Sequence, residues 1–131
     1  QLLRQARPRI ETGGSIIRVS VEAFMQFVAE NTAIFRLLLQ ERSGRSRSFR
    51  LAVVREIEHF KAELEEYLVN EQSFSRELAE LQSDTIAKIV FSAGADCFDV
   101  NEEERERITE TTIAQVRLVA RGAEATKRFM K

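Results

Sequence analysis

Hydrophobic residues recur along this chain at intervals of three and four positions, the spacing that places them on one face of an α-helix. Only one proline and five glycines interrupt the pattern. It predicts an all-α protein, a helical bundle of about six helices. The expected helices cover residues 1–11, 15–30, 32–42, 46–70, 76–99 and 101–130.

Residues that favour helix starts stand at three of these boundaries. Ser15 and Ser46 can accept hydrogen bonds from free backbone N–H groups of the helices that follow them. Asn101 can cap the last helix, and the three glutamates directly after it carry charges that favour the positive end of the helix dipole. We therefore expect helices to begin at these three residues.

Helix 15–30 is apolar around most of its circumference. Two stripes of hydrophobic residues run along it, Ile17, Val21, Phe24 and Val28 on one and Ile16, Val19, Ala23 and Phe27 on the other. Because a helix of this kind is usually surrounded by others, we expect it to be the central helix. Its two phenylalanines suit the wall of a ligand pocket and suit a plain core equally well.

The last two predicted helices have features of an interface between subunits. Small residues around Gly94 would let another helix approach closely, although glycine inside a helix costs about 1 kcal/mol relative to alanine. The final helix carries a long, narrow apolar stripe. We predict a homodimer that forms through these two helices. The predicted interface residues are Ala93, Gly94, Ile108, Thr112, Val116, Val119 and Ala123.

Composition places the chain among globular proteins and limits its partners. Of its 131 residues, 44% are hydrophobic and 31% are charged, enough for one domain with its own core. The formal net charge of -1 gives the domain as a whole no electrostatic attraction to DNA. One cysteine cannot form an internal disulfide, and no apolar run reaches the roughly 18 residues of a membrane helix. We expect a cytoplasmic protein without a membrane partner.

No group of residues in the sequence indicates catalysis. The residues Glu56-Ile57-Glu58-His59 match one half of a di-iron carboxylate site, but such a site needs a second copy and the chain has a single histidine. Cys97 stands in an apolar run with no cation beside it, which favours a buried, unreactive thiol. We therefore predict that the protein is not an enzyme and needs neither a metal nor a cofactor.

An arginine-rich corner follows the short helix 32–42. The apolar residues 35–39 lead into four arginines, Arg42, Arg45, Arg47 and Arg50. A helix start surrounded by guanidinium groups suits a phosphate or carboxylate, and the neighbouring apolar residues suit a hydrocarbon tail. The alternative is an ordinary corner between helices whose arginines lie in water, as most charged runs do.

Three segments resemble the effector domain of TetR-family transcriptional regulators, and more narrowly the repressors of unsaturated fatty acid synthesis of the FabR/DesT type. They are FRLLLQERSG (35–44), VVREIEHF (53–60) and IVFSAGADCFDV (89–100), and the similarity extends over essentially the whole chain. The resemblance implies a helical ligand-binding and dimerisation domain over residues 1–131. Residues 1–11 would end the helix that joins it to an N-terminal helix-turn-helix domain absent from this chain.

The same resemblance implies a function. Relatives of this type sense long-chain acyl-CoA or other acyl thioesters and relay the shape of the acyl chain to the DNA-binding domain. Operator DNA would thus be a partner only through the absent N-terminal domain. The last two helices would form the dimer interface, in agreement with their small-residue face.

Residue pattern, rather than the family, leads to a hypothesis for the site. The predicted slot for the acyl chain lies between helices 15–30, 46–70 and 76–99, with Arg42, Arg45, Arg47 and Arg50 at its anionic mouth. Its predicted lining is Phe24, Phe27, Phe60, Leu64, Phe91 and Phe98. Two alternatives remain, a dimerisation module without a ligand and a TetR-like sensor of another apolar small molecule.

Overall fold

The structure is a computed structural model that describes residues 16–31, 33, 47–97 and 100–129, with side chains except at 47–54, 56, 128 and 129. The described residues form four helices and no strand, which confirms the all-α fold class. The helices are α1 (Ile16–Glu30), α2 (Arg47–Asn70), α3 (Arg76–Asp96) and α4 (Glu102–Phe129). The predicted helices 1–11 and 32–42, apart from Ala33, and the predicted caps Ser15 and Ser46 lie outside the described residues.

The boundaries of the four helices follow local capping chemistry. Asn101 accepts a hydrogen bond from the backbone N–H of Glu104 at 2.8 Å, which confirms the predicted cap of α4. Ser75 caps α3 by accepting from the N–H of Leu78 at 3.2 Å. That helix ends at Asp96 rather than at 99, because the N–H of Cys97 bonds to the carbonyl of Gly94, three residues back, and closes the last turn.

α1 is buried on two sides, as its apolar circumference predicts. α2 packs along α3 and α3 along α4, while α1 lies against α4 and α3. Val19 and Val28 are nine residues apart, which at about 100° per residue places them on opposite sides of the helix. Both are buried, with 3% and 2% of their surface exposed.

The close approach that Gly94 allows is made by α1 of the same chain. A Cβ atom at Gly94 would lie 3.0 Å from Cε1 of Phe24 and 3.2 Å from Cγ2 of Val28. Glycine at this position therefore lets α1 cross α3 at close range. Gly94, which was predicted to meet a second subunit, is covered here by the chain's own α1.

None of the four helices, within the residues described, combines the length and the apolar character needed to cross a bilayer.

Candidate ligand-binding site

A partly open cavity of ≈ 150 Å³ lies among the four helices. Its walls are mostly hydrophobic, and its apolar lining includes Ile17, Val21, Phe60, Leu64, Ile86 and Val116. Residues at intervals of four build two of the walls. Phe60, Leu64 and Leu68 form a stripe on α2, and Gln82, Ile86 and Val90 form one on α3. The same periodicity that defines these helices therefore also shapes the cavity.

The connection between α2 and α3 closes one end of the cavity. Phe74, which is 6% exposed, packs into the lining, and Ser73 before it takes a positive φ of 60°. Lys127 of α4 holds this loop in two ways. Its Nζ donates to the carbonyl of Gln72 at 2.8 Å and lies 4.5 Å from the centre of the Phe74 ring. The loop is thus fixed between α2, α3 and α4.

A tyrosine hydroxyl stands beside this loop. Nε2 of Gln72 donates to the hydroxyl of Tyr67 at 3.1 Å, and both residues line the cavity. Burial raises the pKa of Tyr67, so its phenol stays neutral across the physiological range. This end of the cavity therefore offers neutral polar groups.

Two residues of the cavity lining, one on α1 and one on α3, carry buried polar atoms. Gln82 is 4% exposed, and Ser20 is half-buried. Within the described part of the chain, neither Nε2 of Gln82 nor Oγ of Ser20 has a hydrogen-bond partner. A buried group without a partner costs about 1–3 kcal/mol. The fold therefore leaves two buried polar atoms without a partner beside a mostly apolar cavity.

Phe60 and Leu64, of the six residues predicted to line the slot, do line the cavity. Phe24 and Phe91 lie next to Phe60 in an aromatic cluster, with ring centroids 4.7 Å apart for Phe24 and Phe91 and 5.9 Å for Phe60 and Phe91. Phe24 is only 1% exposed and belongs to the packed core. Phe27 is half-buried and is not among the lining residues. Phe98 lies outside the described residues.

No contact among the described residues links the arginines predicted at an anionic mouth to this cavity. Arg42 and Arg45 lie outside the described residues, and Arg47 and Arg50 are described only as backbone in the first turn of α2. Arg47 precedes Phe60 by 13 residues, about 20 Å along the helix axis. Among the described residues lining the cavity, the charged side chain is that of Glu124, which is exposed. The anionic mouth stays a prediction.

Several residues that line the cavity were not predicted from the sequence. Gln82 follows Leu78 and precedes Ile86 in a buried stripe of α3, so the available signal was a polar residue inside an apolar repeat. Ser20 similarly interrupts the apolar face of α1 between Ile17 and Phe24. Such interruptions indicate a polar wall only once the neighbouring helices are known to leave a space there.

The residues predicted at the dimer interface are mostly buried within the chain. Gly94 is buried, Thr112, Val116 and Ala123 are each at most 6% exposed, and Val116 lines the cavity. Ile108 and Val119 are half-buried against the same core. These positions therefore contribute to the fold of one subunit, and the dimer itself stays a prediction.

Other residues on α3 and α4 form an open groove. Ala93 and Ile108 line it together with Ile89, Ser92 and Gln115. The groove has a volume of ≈ 480 Å³. The large exposed hydrophobic residues in the described part of the chain also lie on these two helices, Leu118 with 68% and Leu81 with 62% of its surface exposed. The outer face of α3 and α4 thus presents apolar side chains to the surroundings.

The two residues considered for metal or thiol chemistry lie away from the cavity. His59 is exposed, with its Nε2 3.9 Å from Glu63, and no group of three metal-ligating side chains occurs among the described residues. Cys97 is buried as predicted, its Sγ 3.8 Å from Sδ of Met25. Burial raises the pKa of this thiol, which disfavours the reactive thiolate.

No family model matches this chain, and no solved structure matches it. The resemblance to TetR-family effector domains therefore stays a prediction from the sequence.

Proposed function

We propose that this domain senses a small apolar ligand for a transcriptional repressor. The ligand would be long-chain acyl-CoA or another acyl thioester, and the repressor a TetR-like regulator of unsaturated fatty acid synthesis, as the sequence resemblance implies. The observation that supports a sensing role most directly is the ≈ 150 Å³ cavity among the four helices. Apolar clefts with a few polar groups are the usual binding sites of small molecules.

The size of the cavity determines what a long ligand must do. An engineered apolar cavity of about 150 Å³ in another protein binds benzene, so a cavity of this size holds about six carbon atoms. Each buried methylene contributes about 0.8 kcal/mol. A long acyl chain has more methylene groups than this cavity can bury, so it could be buried completely only if the walls moved apart. Ligand uptake would thus be coupled to a change in helix packing.

α1 is the wall best suited to move. It lies against α3 and α4, and it meets α2 through the rings of Phe24 and Phe60, whose centroids are 6.4 Å apart. An exposed ion pair from Arg18 to Glu110, with N–O distances of 2.7 and 2.8 Å, also ties it to α4. Straight and bent acyl chains would displace α1 to different extents. Each would shift the equilibrium only by its difference in affinity for the two arrangements.

Binding of acyl-CoA to the purified chain tests this proposal. Native mass spectrometry would follow uptake of oleoyl-CoA and palmitoyl-CoA by the wild type and by Ala120→Phe. Ala120 lines the cavity, so a phenyl group there would occupy it and abolish uptake. His59→Trp, on the exposed face of α2, serves as the matched control because it adds an aromatic ring away from the cavity.

Two results would contradict the proposal. A wild-type chain that takes up neither thioester would support the dimerisation module without a ligand. Uptake of acyl-CoA by Ala120→Phe at the level of the wild type would show that the ligand binds outside this cavity.

A homodimer forms the second part of the proposed function. The support is the groove that Ile89 and Ile108 line on α3 and α4, together with the exposed side chains of Leu81 and Leu118 on the same two helices. A second copy of the same face, related by a two-fold axis, would cover these apolar residues in a four-helix interface. We therefore assign the contact to this outer face rather than to the buried residues Val116 and Ala123.

Sedimentation of the wild type and of Leu118→Glu tests the dimer. The charge placed at an apolar contact should convert the dimer into a monomer, whereas Glu103→Lys at the exposed start of α4 should leave the mass unchanged. A wild-type chain that sediments as a monomer at all concentrations would contradict this part of the proposal.

A further inference from the structure

The loop between α2 and α3, residues 71–75, closes one end of the cavity with a single buried side chain. Phe74 is 6% exposed and lines the cavity, whereas the other four residues of the loop are exposed. The remaining lining residues belong to helices that form the packed core. Displacing such a wall would separate helices that pack together. This loop is therefore the part of the lining that can move while the helices stay in contact.

A lysine outside the cavity holds the loop in its closed position. Lys127 of α4 is half-buried and is not among the lining residues. Its Nζ donates to the carbonyl of Gln72 at 2.8 Å and lies 4.5 Å from the centre of the Phe74 ring. Ser73, between these two residues, has a φ of 60°, in the left-handed region that disfavours residues other than glycine. Contacts such as those of Lys127 must therefore maintain this conformation.

We propose that the α2–α3 loop is the gate through which a ligand enters and leaves the cavity, and that Lys127 is the latch of this gate. When the two contacts of Lys127 break, Phe74 moves out of the lining and opens this end of the cavity. The inference rests on the proposed ligand-sensing function and specifies the route to the same site. Because Lys127 does not line the cavity, it controls the rates of entry and exit and leaves the affinity unchanged.

Benzene is the probe for this test, because it is uncharged and fits an apolar cavity of about 150 Å³ without separating the helices. NMR line shapes of the methyl groups of Ile86 and Val90, both on the lining, give its association and dissociation rate constants. Lys127→Ala removes both contacts of the latch. The loss of contacts of this kind corresponds to about a threefold to tenfold change. We expect both rate constants to rise by that factor and the dissociation constant to stay the same.

Three variants serve as controls for the rates. Lys127→Arg keeps a charged donor at the same place and should retain slow exchange. Lys88→Ala removes a lysine whose side chain is 78% exposed on α3, and it should leave both rate constants unchanged. Arg18→Ala breaks the ion pair that ties α1 to α4 and tests entry past α1, so it should also leave them unchanged.

Hydrogen exchange measures the opening of the gate without any ligand. The backbone N–H of Phe74 donates to the carbonyl of Leu68 at 3.0 Å, and it should exchange faster in Lys127→Ala by a similar factor. The N–H of Arg105, bonded to the carbonyl of Asn101 at 3.0 Å near the start of α4, should keep its rate.

The possible results separate the gate from the ligand site. Rate constants that are unchanged in Lys127→Ala, or that rise in Arg18→Ala instead, would overturn the gate and leave the cavity as a ligand site. Weaker binding by Lys127→Ala at an unchanged association rate would also overturn it, because Lys127 would then stabilise the bound state. Absence of benzene binding to the wild type would overturn the proposed ligand site together with its gate.

Discussion

The two halves of α3 pack in different ways against the same neighbours. Near its C-terminal end, Gly94 brings Phe24 to within 3.0 Å of the place where a Cβ atom would stand, and Cys97 contacts Met25 through sulfur. Near its N-terminal end, Gln82 and Ile86 face a cavity. One helix thus anchors α1 at one end and leaves space beneath it at the other. At the tight end, around Gly94, close packing holds α1 in place. At the loose end, around Gln82, there is room for a ligand.

Removing the anchor at the tight end should have the largest effect. Phe24 is 1% exposed and contacts the rings of Phe60 and Phe91. Truncation of a buried phenylalanine costs about 3–5 kcal/mol, because the transfer free energy is lost and a cavity remains. We expect Phe24→Ala to lower the free energy of unfolding by this amount in urea denaturation. A loss below that of Leu64→Ala, at the wall of the existing cavity, would contradict the contrast between the two halves.

A pair of glycine substitutions tests the same contrast with opposite signs. Alanine in place of glycine favours a helix by about 1 kcal/mol. At Gly122 an added Cβ would meet nothing within 4 Å, so Gly122→Ala should stabilise a monomer by about that amount. At Gly94 the new atom would press on Phe24, which the neighbouring rings hold in place. Overpacking costs about 1–3 kcal/mol, so the net effect there should be a loss.

Both glycine variants can be followed by thermal and urea unfolding at a fixed protein concentration. Equal stabilisation by the two substitutions would mean that α1 withdraws from α3 without difficulty, and that the tight end is not an anchor.

The smallest effect concerns the ion pair outside the core. The hydrogen bonds from Arg18 hold the pKa of the Glu110 carboxyl below its ordinary value. A lowered folded pKa means that the pair stabilises the fold above the unfolded pKa of glutamate and loses this contribution as the pH falls from about 5 through the folded value. We expect Glu110→Gln to flatten the acid side of the plot of Tm against pH.

Salt and a second exposed carboxylate provide the controls for this prediction. Because the pair is exposed, added salt should reduce its effect. Glu80→Gln, at an exposed position of α3 beyond its first turn, should leave the acid side unchanged. An identical response of the two variants would show that this ion pair does not hold α1 to α4.

Local chemistry explains why the helix boundaries were predictable. Asn101 caps α4 with a hydrogen bond to a residue three positions away. The same reasoning placed Phe60 and Leu64 on one face of α2, four residues apart, and both line the cavity. These features depend on neighbours within one helical turn, so they can be predicted from the amino-acid sequence.

Prediction failed where the partner of a residue lies far away in the chain. The small face at Gly94 correctly indicated a close approach, but the sequence alone did not determine whether the approaching helix belongs to the same subunit. Thr112 and Val116 formed an apolar stripe that suits an interface or a core, and the structure places them in the core. An apolar stripe shows which face of a helix is buried, but not whether the same chain or a second subunit buries it.

The sequence by itself determined the four described helices, the Asn101 cap of α4 and the apolar faces of the helices, because backbone hydrogen bonds and side-chain periodicity act over three or four residues. Only the tertiary structure decided that Phe24 fills the space above Gly94 while a cavity opens beside Gln82. The physical reason is that close packing depends on the shapes of side chains more than fifty positions apart, and small differences in those shapes decide whether two helices touch or leave a cavity.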